Sequence, residues 1–236
     1  MAEKKKVKVS VVIPTLNEES SIGKVLDMLP RGDEYEVVIV DGLSTDRTVE
    51  IAREKGARVV MEKRRGYGRA YKTGFKEARG EIIVTMDGDL TYPAEMVDEL
   101  VERLEREGLD FITCDRFRMM ERGAMNFTHR LGNWILKVAT RLLFRVPLND
   151  SQSGMWVFRR EILKKMRLTS DGMALSEEIK IEAFRNPKIK AKEISVPYRP
   201  REGEVKLNTW RDGWNNLKFL FKKRFSPGSL GEPEKF

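Results

Sequence analysis

The chain is poor in cysteine, histidine and glutamine, with one residue of each among its 236. The single cysteine, Cys114, cannot form an internal disulfide, which fits a reducing compartment. His129 has no cysteine or second histidine at ligand spacing, which argues against a zinc site, and no Ser-His-Asp arrangement is indicated. Because Cys114 lies in an apolar run at 111–114, we expect it to be a buried small residue and not a nucleophile.

Long apolar runs are also missing. No uninterrupted apolar stretch of the sequence reaches the roughly 20 residues that a membrane-spanning helix needs. The charged segment 1–6 is not followed by the apolar region and cleavage site of a signal peptide. We therefore expect a chain that does not cross a bilayer, and the single cysteine favours a cytoplasmic location.

Charge is abundant: 35% of the residues are charged and the formal net charge is +8. This balance favours anionic partners, such as nucleotides, nucleic acid or a lipid surface. The hydrophobic content of 40% suffices for a core, and no Pro/Gly/Ser-rich linker or internal repeat divides the chain. We expect one domain over residues 1–225 and a polar C-terminal tail over 226–236.

The first 115 residues alternate between strand-like and helix-like segments, which predicts an α/β fold with a mostly parallel sheet. Strands are predicted over 7–13, 35–40, 57–61, 82–86 and 109–114, and helices from 20 or 21, over 47–55, 69–79 and 94–107. The second half predicts one or two helices over 123–145, strands over 154–158 and 189–198, helices over 159–166 and 176–185, and a final amphipathic helix.

Two aspartates follow the most apolar of these strands, 82–86, in the segment Asp87-Gly88-Asp89. In open α/β sheets, ligands bind beyond the carboxyl ends of the strands. Two hard oxygen ligands at that place suit Mg²⁺ or Mn²⁺, and such a cation suits the diphosphate of a nucleotide-sugar. The alternative is a polar turn whose carboxylates cap the next helix. The position directly after a buried strand favours the metal site.

Polar groups also follow the first two strands, in the segment 14–18 and at Asp41, and we expect them to share one pocket with the aspartates. Gly66-Tyr67-Gly68 is not a dinucleotide-binding fingerprint, because that motif directly follows the first strand, and no phosphate-binding P-loop is present. The basic residues are not interleaved with aromatics on a known nucleic-acid module, so we expect no nucleic-acid partner.

Two amphipathic helices carry excess positive charge beside tryptophans. The first combines Leu131, Trp134, Ile135, Val138 and Leu142 with Lys137, Arg141 and Arg145; the second combines Trp210, Trp214, Leu217 and Phe221 with Lys218, Lys222, Lys223 and Arg224. An ordinary core face opposite a solvated face is one interpretation. The coincidence of cationic and aromatic residues on both helices favours helices that lie on an anionic membrane surface.

Residues 12–19, 40–48 and 87–89 resemble the opening segment, the second loop and the Asp-x-Asp motif of family 2 glycosyltransferases with a GT-A fold. The second half resembles the dolichyl- or polyprenyl-phosphate mannose and glucose synthases. The segments that carry this resemblance are 123–125, 129–130, 132–133, 150–155, 158–160, 196–203, 206–207 and 211–214. The resemblance extends from about residue 9 to 225.

This resemblance implies a metal-dependent, inverting transfer of mannose or glucose from GDP-mannose or UDP-glucose to a dolichyl or polyprenyl phosphate. It implies an enzyme with Mg²⁺ or Mn²⁺, peripheral on the cytoplasmic face of the membrane. The implied donor-binding residues are Pro14, Thr15, Asn17, Glu18, Asp41, Arg65, Asp87 and Gly88, with Asp87 and Asp89 as metal ligands. The implied acceptor-phosphate residues are Arg116, Arg130, Arg201 and Lys206, of which Arg116 and Arg130 are also predicted, with Asp89, to be catalytic.

Two points stay open from the sequence. Many mannose synthases have glutamine where this chain has Thr91, so the third protein ligand of the metal is not identified. Glu178 matches an acidic position of the family and is predicted to orient sugar hydroxyls; the alternative is an exposed helical glutamate.

Two other functions also remain open. A related glycosyltransferase that acts on a sugar or protein hydroxyl would need a carboxylate base. A non-catalytic module that binds a nucleotide-sugar or nucleic acid would need no catalytic group.

Overall fold

A computed structural model describes residues 6–203 and 209–236. Its centre is a seven-stranded sheet in the order β3-β2-β1-β4-β6-β5-β7. The strands are β1 Val9–Thr15, β2 Tyr35–Asp41, β3 Arg58–Met61, β4 Ile82–Thr85, β5 Phe111–Met120, β6 Trp156–Arg159 and β7 Ala191–Tyr198. Only β6 runs antiparallel to its neighbours, β4 and β5. The predicted α/β fold with a mostly parallel sheet is therefore confirmed.

Helices cover both faces of the sheet. They are α1 Ile22–Met28, α2 Thr48–Glu54, α3 Tyr67–Glu77, α4 Val97–Arg106, α5 Phe127–Phe144, α6 Leu175–Arg185 and α7 Thr209–Phe225. Because alternate residues of a strand point to opposite faces, Val11 and Val84 pack in the core with α1 and α4. Val12 and Ile83 pack on the other face, in a core with residues of α3 and α6. The central strands are therefore buried on both faces, as their continuous apolar sequence predicts.

A third apolar cluster holds α5, α6 and α7 together beside the sheet. Its buried members are Leu136, Phe144, Val146, Leu148, Ile181 and Leu220. Both amphipathic helices of the second half thus pack through a narrow apolar face. Within the described residues, no helix is long and apolar enough to cross a membrane.

Several element boundaries differ from the prediction by a few residues, and two differences are larger. The helix predicted over 159–166 is a 3₁₀-helix, Arg160–Lys165. Strand β5 continues to Met120, six residues beyond its predicted end at 114, because Met119 and Met120 pair with Pro197 and Tyr198 of β7. An irregularity between Asp115 and Met119 interrupts this pairing, and Arg116 lies within it. Such bulges redirect side chains, here next to the carboxyl end of the sheet.

The predicted polar tail over residues 226–236 contacts α3 through its last residues. Glu234 accepts a 2.7 Å hydrogen bond from Arg69 and also pairs with Lys76, while its backbone N–H donates to the carbonyl of Leu168 at 2.9 Å. The ring of Phe236 lies 6.1 Å from that of Phe75. Burial alone would raise the pKa of Glu234, but Lys76 and Arg69 outweigh it and lower the pKa to about 2.

Replacing Glu234 with glutamine is expected to lower the free energy of unfolding by about 1.5–3 kcal/mol, the usual value of hydrogen bonds to charged groups. Since the folded-state pKa lies below the ordinary value of 4.5, this stabilisation is present above pH 4.5 and disappears as the pH falls towards 2. Denaturant unfolding of both proteins at neutral pH and at pH 3 measures it. An unchanged midpoint at neutral pH would show that the contact contributes no stability.

Candidate active site

The loops after β1 and β2 form one hydrogen-bonded rim at the carboxyl edge of the sheet. Thr15 Oγ1 donates to Asp41 at 2.9 Å, and the backbone N–H and hydroxyl of Ser44 donate to the same carboxylate at 2.8 and 2.6 Å. Asn17 joins the loops again, because its N–H donates to Ser44 Oγ and its side-chain oxygen accepts from Thr45 N–H, both at 2.8 Å. The structure therefore brings the predicted residues Thr15, Asn17 and Asp41 together.

The next strand end carries the two aspartates. Asp89 is 4% exposed, and its Oδ1 accepts hydrogen bonds from the hydroxyl and N–H of Thr91 at 2.6 and 3.1 Å. Within the described residues, Asp87 makes two long hydrogen bonds, at 3.4 Å to the hydroxyls of Tyr67 and Tyr71. Burial, and next the neighbouring Asp89 carboxylate, raise the pKa of Asp87 to about 7. A carboxylate whose pKa is raised by burial and by a second carboxylate fits a divalent cation.

Among the described residues, no group of three or more His, Cys, Asp or Glu side chains is arranged to hold a metal. Thr91, at the position where the resemblance left a ligand open, donates its hydroxyl proton to Asp89. The protein thus supplies two carboxylates at this point. Mg²⁺ commonly binds through one or two carboxylates and takes its other ligands from water and substrate phosphates, so the donor set is sufficient.

Arg201 connects the segment after β7 to these carboxylates. Its guanidinium lies 2.8 Å from Glu18 Oε1 and 3.2 Å from Asp89 Oδ2. The backbone N–H of Glu202 donates to the carbonyl of Asp89, and that of Arg199 to the carbonyl of Thr91, at 3.1 and 3.0 Å. The predicted acceptor residue Arg201 and the predicted donor residue Glu18 are therefore in direct contact.

Arg116 is held by a buried carboxylate. Its Nε and Nη2 donate to the two oxygens of Asp150 at 2.6 and 2.9 Å, and its guanidinium lies 5.2 Å from the ring centroid of Tyr198. Lys180 Nζ donates to the carbonyl of Asp150 at 2.9 Å. A bidentate pair fixes the plane and direction of the guanidinium. Arg116 is therefore presented in one orientation at the wall of the site.

These groups line a cavity of about 210 Å³. Its lining includes Asp89, Thr91, Arg116, Ala124, Met125, His129, Gly132, Asn133, Leu136, Gln152, Met173, Tyr198, Arg201, Asp212, Gly213 and Asn216. The sheet side supplies Asp89, Arg116 and Arg201, and α5 and α7 supply the opposite wall, which includes Asp212. Asp89, Arg116 and Arg201 are the predicted site residues that meet in it.

Arg130 lies in a neighbouring groove of about 460 Å³. That groove is lined by Phe117, Phe127, Arg130, Leu131, Asn133, Trp134 and Lys137. Asn133 also lines the cavity, so the two spaces adjoin. The lining of the groove is mostly apolar, with two cations.

Sequence reasoning missed several residues that build the cavity wall: Asp150, Gln152, Glu177, Tyr198 and Asn216. Asp150 and Gln152 lie in a motif segment, 150–155, but the pattern does not show which partner each one takes. Among the predicted residues, Arg65 is exposed in the loop before α3. Lys206 lies outside the described residues.

The family model for glycosyl transferase family 2 matches residues 10–167. The chain belongs to this family. It is 37% identical over 209 residues to a dolichyl-phosphate hexose transferase of Haloferax volcanii, covering 86% of this chain and 88% of that protein. It is 35% identical over 227 residues to the low-salt glycan biosynthesis hexosyltransferase Agl6 of the same organism, covering 94% of this chain but only 54% of that protein.

A dolichol-phosphate mannosyltransferase of Pyrococcus furiosus is 30% identical over an alignment of 224 residues, and the match covers 85% of this chain and 59% of that protein. Among solved structures, glucosyl-3-phosphoglycerate synthase from Mycobacterium tuberculosis, in complex with Mn²⁺, UDP and glucosyl-3-phosphoglycerate, superimposes with a TM-score of 0.76. It is 24% identical, and the match covers 98% of this chain and 83% of that one. This likeness confirms the predicted GT-A fold.

Glu178 of this glycosyltransferase is fully buried, so the interpretation as an exposed glutamate was wrong. Its carboxylate accepts from the N–H groups of Thr169 and Ser170, both at 2.8 Å, and pairs with Lys223 at 3.1 Å. Glu178 does not line the cavity around Asp89. Through these contacts, Glu178 joins α6 to the loop at residues 169–170 and to α7.

The sequence predicted Lys223 on a membrane-facing surface, but its side chain is turned inward to Glu178. Its side chain is 7% exposed and also pairs with Glu182 at 2.7 Å. Other groups of the two amphipathic helices do face outward. The exposed apolar side chains are Phe127, Leu131, Trp134, Ile135 and Leu142 of α5, and Trp210, Trp214, Phe221 and Phe225 of α7; we call them the apolar helix surface.

Proposed function

We propose that this family 2 glycosyltransferase transfers a hexose, mannose or glucose, from a nucleotide-sugar to a polyprenyl phosphate, with inversion at the anomeric carbon. The observation that carries the proposal is the cavity in which Asp89 lies opposite Arg116 and beside Arg201. It offers oxygen ligands for a metal diphosphate and guanidinium groups for a second phosphate. The names of two similar proteins, a dolichyl-phosphate hexose transferase and a dolichol-phosphate mannosyltransferase, support the same acceptor.

The donor side of the proposal uses the strand ends. Asp87 and Asp89 would hold Mg²⁺ or Mn²⁺, which, when bound, neutralises the departing nucleoside diphosphate. The connected rim at Asn17 and Asp41 would bind the base and ribose. The structures of the mycobacterial synthase with UDP and Mn²⁺ or Mg²⁺ support such a donor in this fold. Both GDP-mannose and UDP-glucose remain candidate donors.

The acceptor side uses cations and no base. A lipid monophosphate is anionic at neutral pH, so its oxygen can attack without losing a proton to a carboxylate. It must instead approach a negatively charged donor, and this requires positive charge along its path. Arg116, which Asp150 holds in one orientation, and Arg201 would bind the phosphate. Arg130 would assist from the adjoining groove, whose apolar lining would receive the first isoprene units.

A direct comparison of acceptors tests this proposal. We expect hexosyl transfer to a short polyprenyl phosphate, and at least about 10²-fold slower transfer to the matching polyprenol or to a free sugar, because an alcohol needs a base. Incubation of each acceptor with GDP-mannose or UDP-glucose and Mn²⁺ measures it. Faster transfer to the alcohol or sugar would establish a hydroxyl acceptor, and donor binding without transfer to any acceptor would establish a binding module.

We further propose that the protein binds the surface of anionic membranes through α5 and α7. The apolar helix surface stands beside exposed basic residues, and Lys218 lies 5.3 Å from the ring centroid of Trp214. Each basic group near an anionic surface contributes roughly 1 kcal/mol. Aromatic and basic groups together therefore suit reversible binding at the bilayer interface, on the cytoplasmic face in this proposal.

Replacing Lys218, Lys222 and Arg224 with glutamate is expected to abolish sedimentation with anionic liposomes, because this change reverses the charge beside the apolar helix surface. The wild type should sediment at low salt, less at high salt, and hardly with neutral liposomes. The matched control replaces Arg53, Arg79 and Arg106, exposed residues far from α5 and α7 in sequence, with glutamate and should still sediment. Equal loss in both variants would mean that net charge, and not this surface, governs binding.

A further inference from the structure

Glu177 lies on the first turn of α6, directly behind the cavity wall, and is 0% exposed. Its Oε1 accepts a hydrogen bond from Gln152 Nε2. Its Oε2 is buried without a hydrogen-bond partner in the described part of the chain. Burying a carboxyl group with so few partners costs free energy, so its place calls for an explanation.

Glu177 determines the orientation of the Gln152 amide. Burial raises the pKa of the Glu177 carboxyl to about 8, and in either protonation state its Oε1 can accept the hydrogen bond that the NH₂ group of Gln152 donates. The same NH₂ group donates to Ser151 Oγ at 3.1 Å. The amide oxygen is thereby left on the other side, where it accepts from Asn216 Nδ2 of α7 at 3.0 Å. A continuous set of hydrogen bonds thus joins α6, the 150–155 segment and α7.

In the first half of α7, Asn216 is the residue whose side chain is buried against the rest of the protein. Within the stretch 210–219, whose side chains are described, Asn216 is the only buried residue, at 5% exposure. Farther along the helix, Leu220 and Lys223 provide the next buried contacts. Both Gln152 and Asn216 line the cavity, together with Asp212 and Gly213 of α7. The Gln152–Asn216 hydrogen bond therefore helps to hold this helical wall, beside Leu217, which packs partly buried against the third apolar cluster.

We propose that Glu177 is a positioning residue for acceptor binding: through Gln152 it holds Asn216, and with it the first half of α7, as a wall of the reaction cavity. Its effect on the acceptor rests on the function proposed above, whereas its effect on α7 does not. Glu177 takes no part in bond making. Its neighbour Glu178 fixes the far end of the same helix through Lys223, so the two adjacent glutamates hold α7 at two points.

The test compares Glu177→Met, which keeps the length of the side chain but removes the acceptor, with Glu177→Gln, which keeps an oxygen for Gln152. Hydrogen exchange followed by mass spectrometry reports on residues 210–217, and steady-state kinetics reports on each substrate. For Glu177→Met we expect about tenfold faster exchange over 210–217 and about a tenfold higher KM for polyprenyl phosphate, the effect of losing one buried hydrogen bond. The donor KM and kcat should change less than about twofold, and Glu177→Gln should restore both readouts.

A double-mutant cycle with Asn216→Leu tests whether the contacts act as one unit. If they do, Glu177→Met adds little to the effect of Asn216→Leu, because both changes break the same connection. Thermal unfolding verifies the fold of each variant. Additive effects on exchange, or unchanged exchange over 210–217 in Glu177→Met, would overturn the positioning role whatever the acceptor is. If the exchange effect is found but the wild type does not use polyprenyl phosphate, the acceptor part of the inference falls together with the proposed function, while the hold on α7 stands.

Discussion

Replacing Asp89 with alanine is expected to reduce hexosyl transfer by about 10³-fold or more, and replacing Asp87 by about 10²-fold. A metal contributes several kcal/mol to the stabilisation of a developing negative charge, and each 1.36 kcal/mol changes the rate tenfold. The larger effect is expected at Asp89, because it lines the cavity and contacts Arg201, whereas Asp87 contacts Tyr67 and Tyr71 and is not among the lining residues. Initial rates at saturating donor and Mn²⁺ measure both effects.

The control for this prediction is Glu99→Ala, which removes an exposed carboxylate from the neighbouring helix α4 and should leave the rate unchanged. Thermal unfolding of the three variants separates loss of chemistry from loss of fold. Excess EDTA should reproduce the effect of Asp89→Ala on the wild type. Undiminished transfer in EDTA, or by either aspartate variant, would contradict the assignment of these carboxylates to a metal.

Replacing Asp150 with alanine is expected to lower the free energy of unfolding by about 3–5 kcal/mol, since removal of one partner leaves a buried charge uncompensated. Asp150 is 0% exposed and accepts hydrogen bonds from Nε and Nη2 of Arg116. Burial lowers the pKa of the nearby Lys180 to about 8, and the Asp150 carboxylate opposes this shift. Loss of Asp150 therefore also removes an interaction that stabilises the Lys180 ammonium group. Urea unfolding at neutral pH gives the free energy directly.

The double variant Arg116→Met and Asp150→Leu is the matched control. It removes both charges and fills their space, so it should be clearly more stable than Asp150→Ala alone. Polyprenyl phosphate should still be used poorly, because Arg116 is absent. Equal instability of the single and double variants would show that packing, and not the uncompensated charge, causes the loss.

The position of polar residues at the carboxyl edge of the sheet could be predicted from the sequence, although residues 14–18 and Asp41 do not line the cavity around Asp89. Parallel strands place their carboxyl ends at one edge, so polar residues after the apolar runs of β1, β2 and β4 had to meet there. The short strand β6 gave no sign of its direction, because four residues paired on both sides look alike in parallel and antiparallel sheets. The pairing of Arg116 with Asp150 was equally hidden, since it depends on the irregular course of β5.

Helix periodicity identified the amphipathic helices but not the side that faces inward. In α5 the predicted apolar stripe through Trp134 and Leu142 is exposed, while Leu136 and Phe144 enter the core. The helix is apolar on more than one side, so the pattern alone cannot select the buried one. Charge is a similarly incomplete guide to burial. Glu178 and Lys223 look like surface residues in the sequence, but they form an ion pair and both side chains are buried.

Mass spectrometry of the lipid product tests the central claim most directly. Wild-type protein, a short polyprenyl phosphate, Mn²⁺ and a mixture of GDP-mannose and UDP-glucose are incubated, and the lipids are extracted and analysed. We expect one new lipid whose mass exceeds that of the acceptor by one anhydrohexose and whose fragmentation shows hexose attached to phosphate, with none formed in EDTA or by Asp89→Ala. A hexose attached to another acceptor, or the same product without metal, would contradict metal-dependent transfer to a lipid phosphate.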